Sequence, residues 1–227
     1  MHVLIPMALL LLVLFGPQLW TRAVLARYAR PREDFPGTGG EFARHLLDRA
    51  GLAGVRVEAA QEGDHYDPAA RAVRLTPDKL GGRSLTAVVV AAHEVGHALQ
   101  DQVGYRPLRL RHRLVALAGS AQRLGMGLLV GAPILMGVTR SPVAGLLLAL
   151  GGLASFGSAV AVHFVTLPVE LDASFNRALP LLRAGRYLPD RDLPAARRIL
   201  TAAALTYVSA ALASVLNFRR WWRLLAR

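Results

Sequence analysis

Two histidines stand four residues apart in "VVVAAHEVGHALQDQVG", residues 88 to 104, and Glu94 directly follows the first of them. An α-helix turns about 100° per residue, so His97 comes within about 40° of His93 on the helix surface. Two imidazoles on one face suit two adjacent positions around one metal ion. Glu94 lies about 100° from His93, placed to reach a water beside the ion rather than the ion itself. The spelling H-E-x-x-H is that of helices holding a catalytic zinc. His93 and His97 are therefore expected as zinc ligands, and Glu94 as the catalytic base. The flank "VVVAA" buries the helix, and there a His-Glu-His cluster without a metal would leave costly unpaired polar groups.

Such a site needs a third protein ligand, with the remaining position open to water. A metzincin would place glycine at 100 and histidine at 103, but the chain has Gln100 and Val103. The other histidines are His2, His45, His65, His112 and His163. No acid occurs between Asp101 and Glu170, and the acids beyond are Asp172, Asp190 and Asp192. Asp101 follows His97 by one turn and is expected to orient that imidazole. Glu170 and Asp172 are the main carboxylate candidates. They differ by about 200° on a helix, so only one can face the metal. The chain has no cysteine, which excludes thiolate ligands, disulfides and thiol nucleophiles. A catalytically inactive membrane adaptor with a structural zinc is the alternative. It would need a fourth protein ligand to close the site, and none stands out.

The elements that must carry these residues are mostly apolar. Of 227 residues 53% are hydrophobic, and mean hydropathy is +0.36, above the level of ordinary soluble domains. The net charge of +12 comes almost entirely from arginine, since Lys79 is the only lysine. No aromatic-interleaved basic face or nucleic-acid motif accompanies it, so nucleic acid is not an expected partner. Arginines flanking membrane spans explain the charge better. The expected fold is mainly α, an integral membrane helical bundle bearing a small α+β zinc-peptidase unit.

Residues 1–21 contain an uncharged run long enough to cross a bilayer. Positive charges follow it, and no small-x-small cleavage site ends it, so it reads as a retained anchor. Residues 22–113 read as the α+β unit. Thr38 to Glu41 forms a capping box, Gly51 ends that helix, and Ser84 or Thr86 caps the metal helix that Gly104 ends. "VRVEAA" (55–60) and "RAVRLTP" (71–77) alternate like two strands of a hairpin, with "EGDHYDP" as the turn. Residues 114–167 read as a glycine-rich transmembrane hairpin, 168–198 as a polar segment with the third ligand, and 199–227 as an apolar helix with a basic tail.

Two spans between the metal helix and Glu170 return the chain to the same side of the bilayer. The 15 basic residues of 22–113 and the six of 168–198 face one, Arg140, in the opposite loop. The positive-inside rule then puts the site in the cytoplasm of a multi-pass protein.

The pieces "DHYDP" (64–68), "VAAHEVGHALQ" (90–100), "YRPLRLR" (105–111), "TLPVELDAS" (166–174) and "TAAALTYVSAAL" (201–212) occur in that order. Together they resemble the YugP-like family of bacterial membrane zinc metallopeptidases, which is distantly similar to the HtpX-type membrane proteases. The resemblance covers nearly the whole chain. It implies a zinc peptidase acting on peptide or protein substrates, with Glu170 as third ligand. The distant relatives carry an aspartate four residues after that glutamate, where this chain has Ser174, its nearest acid being Asp172. Arg71 to Leu75, beside His65 and Tyr66, is a further expected feature, a strand edge for docking substrate backbone. His163 and Tyr207 are expected to bond and pack within the helical bundle.

Overall fold

The computed structural model describes the backbone of residues 4–215. The side chains of His163 and Tyr207, and the tail beyond 215, lie outside the described residues. Helix α1 (Leu4–Arg27) leads to α2 (Gly39–Arg49). The expected capping box starts α2: Thr38 Oγ1 accepts from Glu41 N at 3.2 Å, and the Glu41 carboxylate accepts from Thr38 N at 2.8 Å. Ala50 caps the other end, and Gly51 follows with a φ of 71°.

Three short strands come next: β1 (Arg56–Ala59), β2 (His65–Asp67) and β3 (Ala72–Leu75). Their order is β1-β3-β2, with β3 parallel to β1 and antiparallel to β2. Two expectations are corrected here. The hairpin joins β2 to β3, not "VRVEAA" to "RAVRLTP". Its turn is built by Asp67, whose Oδ1 accepts from Ala69 N and Ala70 N, and by Arg71 at a φ of 50°. The stretch Arg71 to Leu75 is also no docking edge, because β3 is paired on both sides. The edge strands of this sheet are β1 and β2.

After the single turn α3 (Pro77–Leu80), Ser84 caps α4 (Leu85–Gln102), its Oγ accepting from Ala87 N at 3.1 Å. A cap of this type contributes about 1 kcal/mol. Thr86, the other expected cap, instead donates to Leu25 O at 2.8 Å and ties α4 to α1. Gly104 then takes a φ of 62° as the chain leaves α4. Helix α5 (Arg106–Thr139) and α6 (Pro142–Leu171) follow, then a π-helical segment, Asp172–Ala178. Helix α7 (Leu179–Ala184), a 3-10 turn at Asp190–Asp192 and α8 (Leu193–Val215) complete the order. The fold is mainly helical with one small sheet.

The chain divides into two compact units. The first joins the residues up to Tyr105 with those from Val169 onward, and α4 is its centre. Every α4 residue from Leu85 to Ala98 is buried, and so is Gln100. A helix buried all round must be surrounded. Here α2, β2, β3, α7, α8 and the π-helical segment surround it. Leu47, Val55, Val73, Leu75, Val89, Val95, Leu182, Ile199 and Leu200 fill the joints. Helix α1 packs along α8 in the same unit.

The second unit, Arg106–Pro168, is the two-helix hairpin of α5 and most of α6. Among the described residues, α5 is long and apolar enough to cross a bilayer. At 34 residues it is about 51 Å long, against a hydrocarbon core of about 30 Å. Pro168 lies inside α6, which runs on to Leu171 before the backbone widens into the π-helical segment. Glu170 therefore sits near the end of a long helix.

Candidate metal centre

His93 and His97 project from the centre of α4 as expected of residues one turn apart, with ring centroids 4.8 Å apart. Glu170 meets both of them. Its Oε2 lies 3.2 Å from His93 Nε2 and 3.3 Å from His97 Nε2. The three side chains are buried, and each offers one ligand atom within 4.8 Å of the others.

The hydrogen bonds around the rings show what these atoms can bind. Gln100 Nε2 donates to Val169 O and to Asp172 Oδ2, both at 2.8 Å. Both partners are pure acceptors, so the amide orientation is fixed and Gln100 Oε1 faces His97 Nδ1 at 2.9 Å. Nδ1 must therefore carry the hydrogen, which leaves a lone pair on Nε2. Ser174 works alike on His93. Its hydroxyl donates to Leu200 O at 3.2 Å and accepts from His93 Nδ1 at 3.0 Å. In the neutral imidazoles two Nε2 lone pairs thus converge with a carboxylate oxygen in one buried space. A cation relieves that arrangement, and two nitrogens with one carboxylate oxygen are a donor set that suits zinc.

Glu94 is also buried, at 5% exposure. Burial pushes its carboxyl above the usual range, and His93 and His97 oppose the rise only in part. A carboxyl raised in this direction holds a proton more readily than an exposed glutamate, as a general base must. Asp172 stays below its usual range: burial would raise it, but the donors Gln100, Arg177 and Asn176 outweigh that. It is not among the converging ligand atoms.

Asp101 departs from expectation. It accepts from the Tyr66 hydroxyl at 2.9 Å, and burial together with Asp101 holds that phenol above its usual range. The bond ties β2 to α4, and Gln100 takes over the orientation of His97. Neither Gln100 nor Ser174 was expected to hold a histidine. Spacing was the available signal, since Gln100 lies three residues after His97 and Ser174 four after Glu170. An apolar cavity of about 550 Å³, lined by Phe35, Phe42, Val88 and Tyr187 among others, includes none of the metal-site residues and is a separate feature.

The residues 3–226 match the family described as "Putative neutral zinc metallopeptidase". The chain belongs to that family. The chain is also 37% identical over 210 residues to the "Putative membrane protease YugP" of Bacillus subtilis (strain 168), covering 91% of this chain and 89% of that protein. No solved structure matches it. Family membership and the buried His93, His97 and Glu170 agree on zinc as the cofactor.

Gly96, between the two histidines, is where the two parts of the centre touch. A Cβ there would stand 2.6 Å from Ala173 O, in the π-helical segment. Backbone cannot yield as a flexible side chain does, so Gly96→Ala must push that segment off α4. Overpacking of this kind costs about 1–3 kcal/mol. The expected result is a lower thermal unfolding midpoint with zinc affinity weakened at least about tenfold, read by chelator competition. A substitution that changes neither contradicts the close approach.

Proposed function

We propose that this family member is an integral membrane, zinc-dependent endopeptidase in which His93, His97 and Glu170 hold the metal and Glu94 is the catalytic base. The observation that carries the proposal is the pair of hydrogen-bonded Nδ1 atoms, which frees both Nε2 atoms of the neutral rings, close to Glu170 Oε2, for a metal. Zinc bound there supplies a Lewis acid that acidifies water and polarises a peptide carbonyl. Glu94 takes the proton from the attacking water and returns it to the leaving amine, a role its raised carboxyl suits. Gln100 and Ser174 hold the imidazoles still while charge develops beside them. The enclosing apolar side chains of α4 keep bulk water away, which strengthens each of these interactions.

For the membrane part, the reading rests on the apolar length of α5 and on the name of the Bacillus relative. Residues 1–21 form an anchor, 114–167 a hairpin and 199–227 a further apolar helix with its tail. Segments 22–113 and 168–198 lie in the cytoplasm and act on peptide or protein substrates there.

Purified protein is expected to carry one zinc per chain and to cleave an unfolded protein such as casein. A chelator should abolish the cleavage, and added zinc should restore it. Cleavage that survives complete zinc removal refutes the mechanism. The topology has its own test. Cysteines introduced at Asp78 and Arg186 should resist an impermeant thiol reagent in intact cells and react after lysis. Labelling of both in intact cells reverses the orientation.

A further inference from the structure

Asp172 was a rival for the metal, and the structure gives it different neighbours. Its Oδ2 accepts from Gln100 Nε2 at 2.8 Å and from Arg177 Nε at 2.8 Å, while Oδ1 accepts from Asn176 Nδ2 at 3.0 Å. The Arg177 guanidinium in turn lies over the Tyr105 ring, 5.6 Å from its centroid. An unbroken line of contacts therefore runs from His97 through Gln100, Asp172 and Arg177 to Tyr105, the residue just before α5.

Gln100 is the joint in that line. It is fully buried, and its amide spends both ends: the oxygen on His97, the nitrogen on Val169 O and Asp172. Val169 and Asp172 flank Glu170 on either side. The same short segment that delivers the third ligand thus decides which way the Gln100 amide faces. Without that segment in place, nothing in these contacts prevents the amide from turning its NH2 toward His97. An NH2 there would take the hydrogen bond as donor, drawing the lone pair to Nδ1 and putting the hydrogen on Nε2, where no metal can bind.

We infer that Gln100 and Asp172 form a relay that makes the second ligand competent only when the segment bearing the third is docked, so that the zinc site assembles as one unit. Gln100 is a positioning residue, and Asp172 acts through it without touching the metal. The inference rests on His93, His97 and Glu170 being the ligands, and goes beyond that assignment by giving the neighbouring polar groups a shared task.

A charge swap tests it on the full-length, detergent-solubilised protein, with zinc affinity measured by chelator competition and folding by circular dichroism. Gln100→Leu removes the acceptor from His97 and should weaken zinc at least about tenfold. Gln100→Glu keeps an acceptor for His97 but sets a carboxylate against Asp172 and Val169 O, so it should weaken zinc as well. Adding Asp172→Asn to Gln100→Glu supplies an NH2 where the carboxylate stood. The double variant should recover at least about half of the lost affinity on a logarithmic scale.

A side chain that only filled space would not be rescued by a second substitution on another element. If Gln100→Leu does not fold, the comparison of Gln100→Glu with the double variant still decides. A double variant no tighter than Gln100→Glu overturns the relay, as does a folded Gln100→Leu that binds zinc like the wild type. Tight zinc in the wild type, lost in His93→Ala, shows that such a failure belongs to the relay alone. A wild type without zinc overturns the metal site and the relay together.

Discussion

Replacing Glu94 by glutamine is expected to abolish proteolysis while leaving zinc in place. Glutamine has nearly the shape of glutamate, so α4 loses no packing, and Glu94 is not one of the atoms converging on the metal. What disappears is a carboxylate able to take a proton from water and deliver it to the departing amine. General-base removal costs at least about a hundredfold in rate. Zinc content by elemental analysis should be unchanged, and cleavage of casein should fall by that factor or more. A variant that cleaves normally would require another base. A variant that loses its zinc would instead put Glu94 among the ligands.

The second large effect is expected at Glu170. Glu170→Gln keeps an oxygen that can bind but removes the negative charge facing two imidazole lone pairs. Loss of even a supporting hydrogen bond weakens a metal site about tenfold to a hundredfold, so loss of a ligand charge should exceed tenfold. Asp172→Asn should do less, because an amide oxygen can still accept from Gln100. His163→Ala should leave zinc bound. If Asp172→Asn or His163→Ala strips the metal while Glu170→Gln retains it, the third ligand has been misassigned.

The metal helix was legible because its information is local. Its two histidines, its apolar flank, the Ser84 cap and the Gly104 stop all lie within 21 residues of each other. Elimination left Glu170 and Asp172 as the main carboxylate candidates and the family resemblance pointed to Glu170, the one whose Oε2 lies beside both imidazoles. The sheet was not legible. His65, Tyr66 and Asp67 are short, polar and without alternation, and β2 exists because β3 lies beside it and Asp67 builds the turn. Periodicity also favoured a hairpin where the structure has a parallel pair, since two alternating strands look the same in either direction. Asp101 was expected in the place of Gln100 because it follows His97 by one turn. The amide became recognisable only once Val169 O and Asp172 were seen on its other side, contacts that span about seventy positions of chain.

Ser174 closes the centre on both sides, holding His93 while donating to Leu200 O in α8. During synthesis, therefore, His93 and His97 leave the ribosome long before their partners exist. At ordinary elongation rates the interval from His97 to Leu200 is on the order of ten seconds. For most of that time the nascent chain carries the H-E-x-x-H helix without Glu170, and for all of it without the Leu200 carbonyl that Ser174 donates to. The buried His93, His97 and Glu170 cluster is thus complete only once α8 has been made.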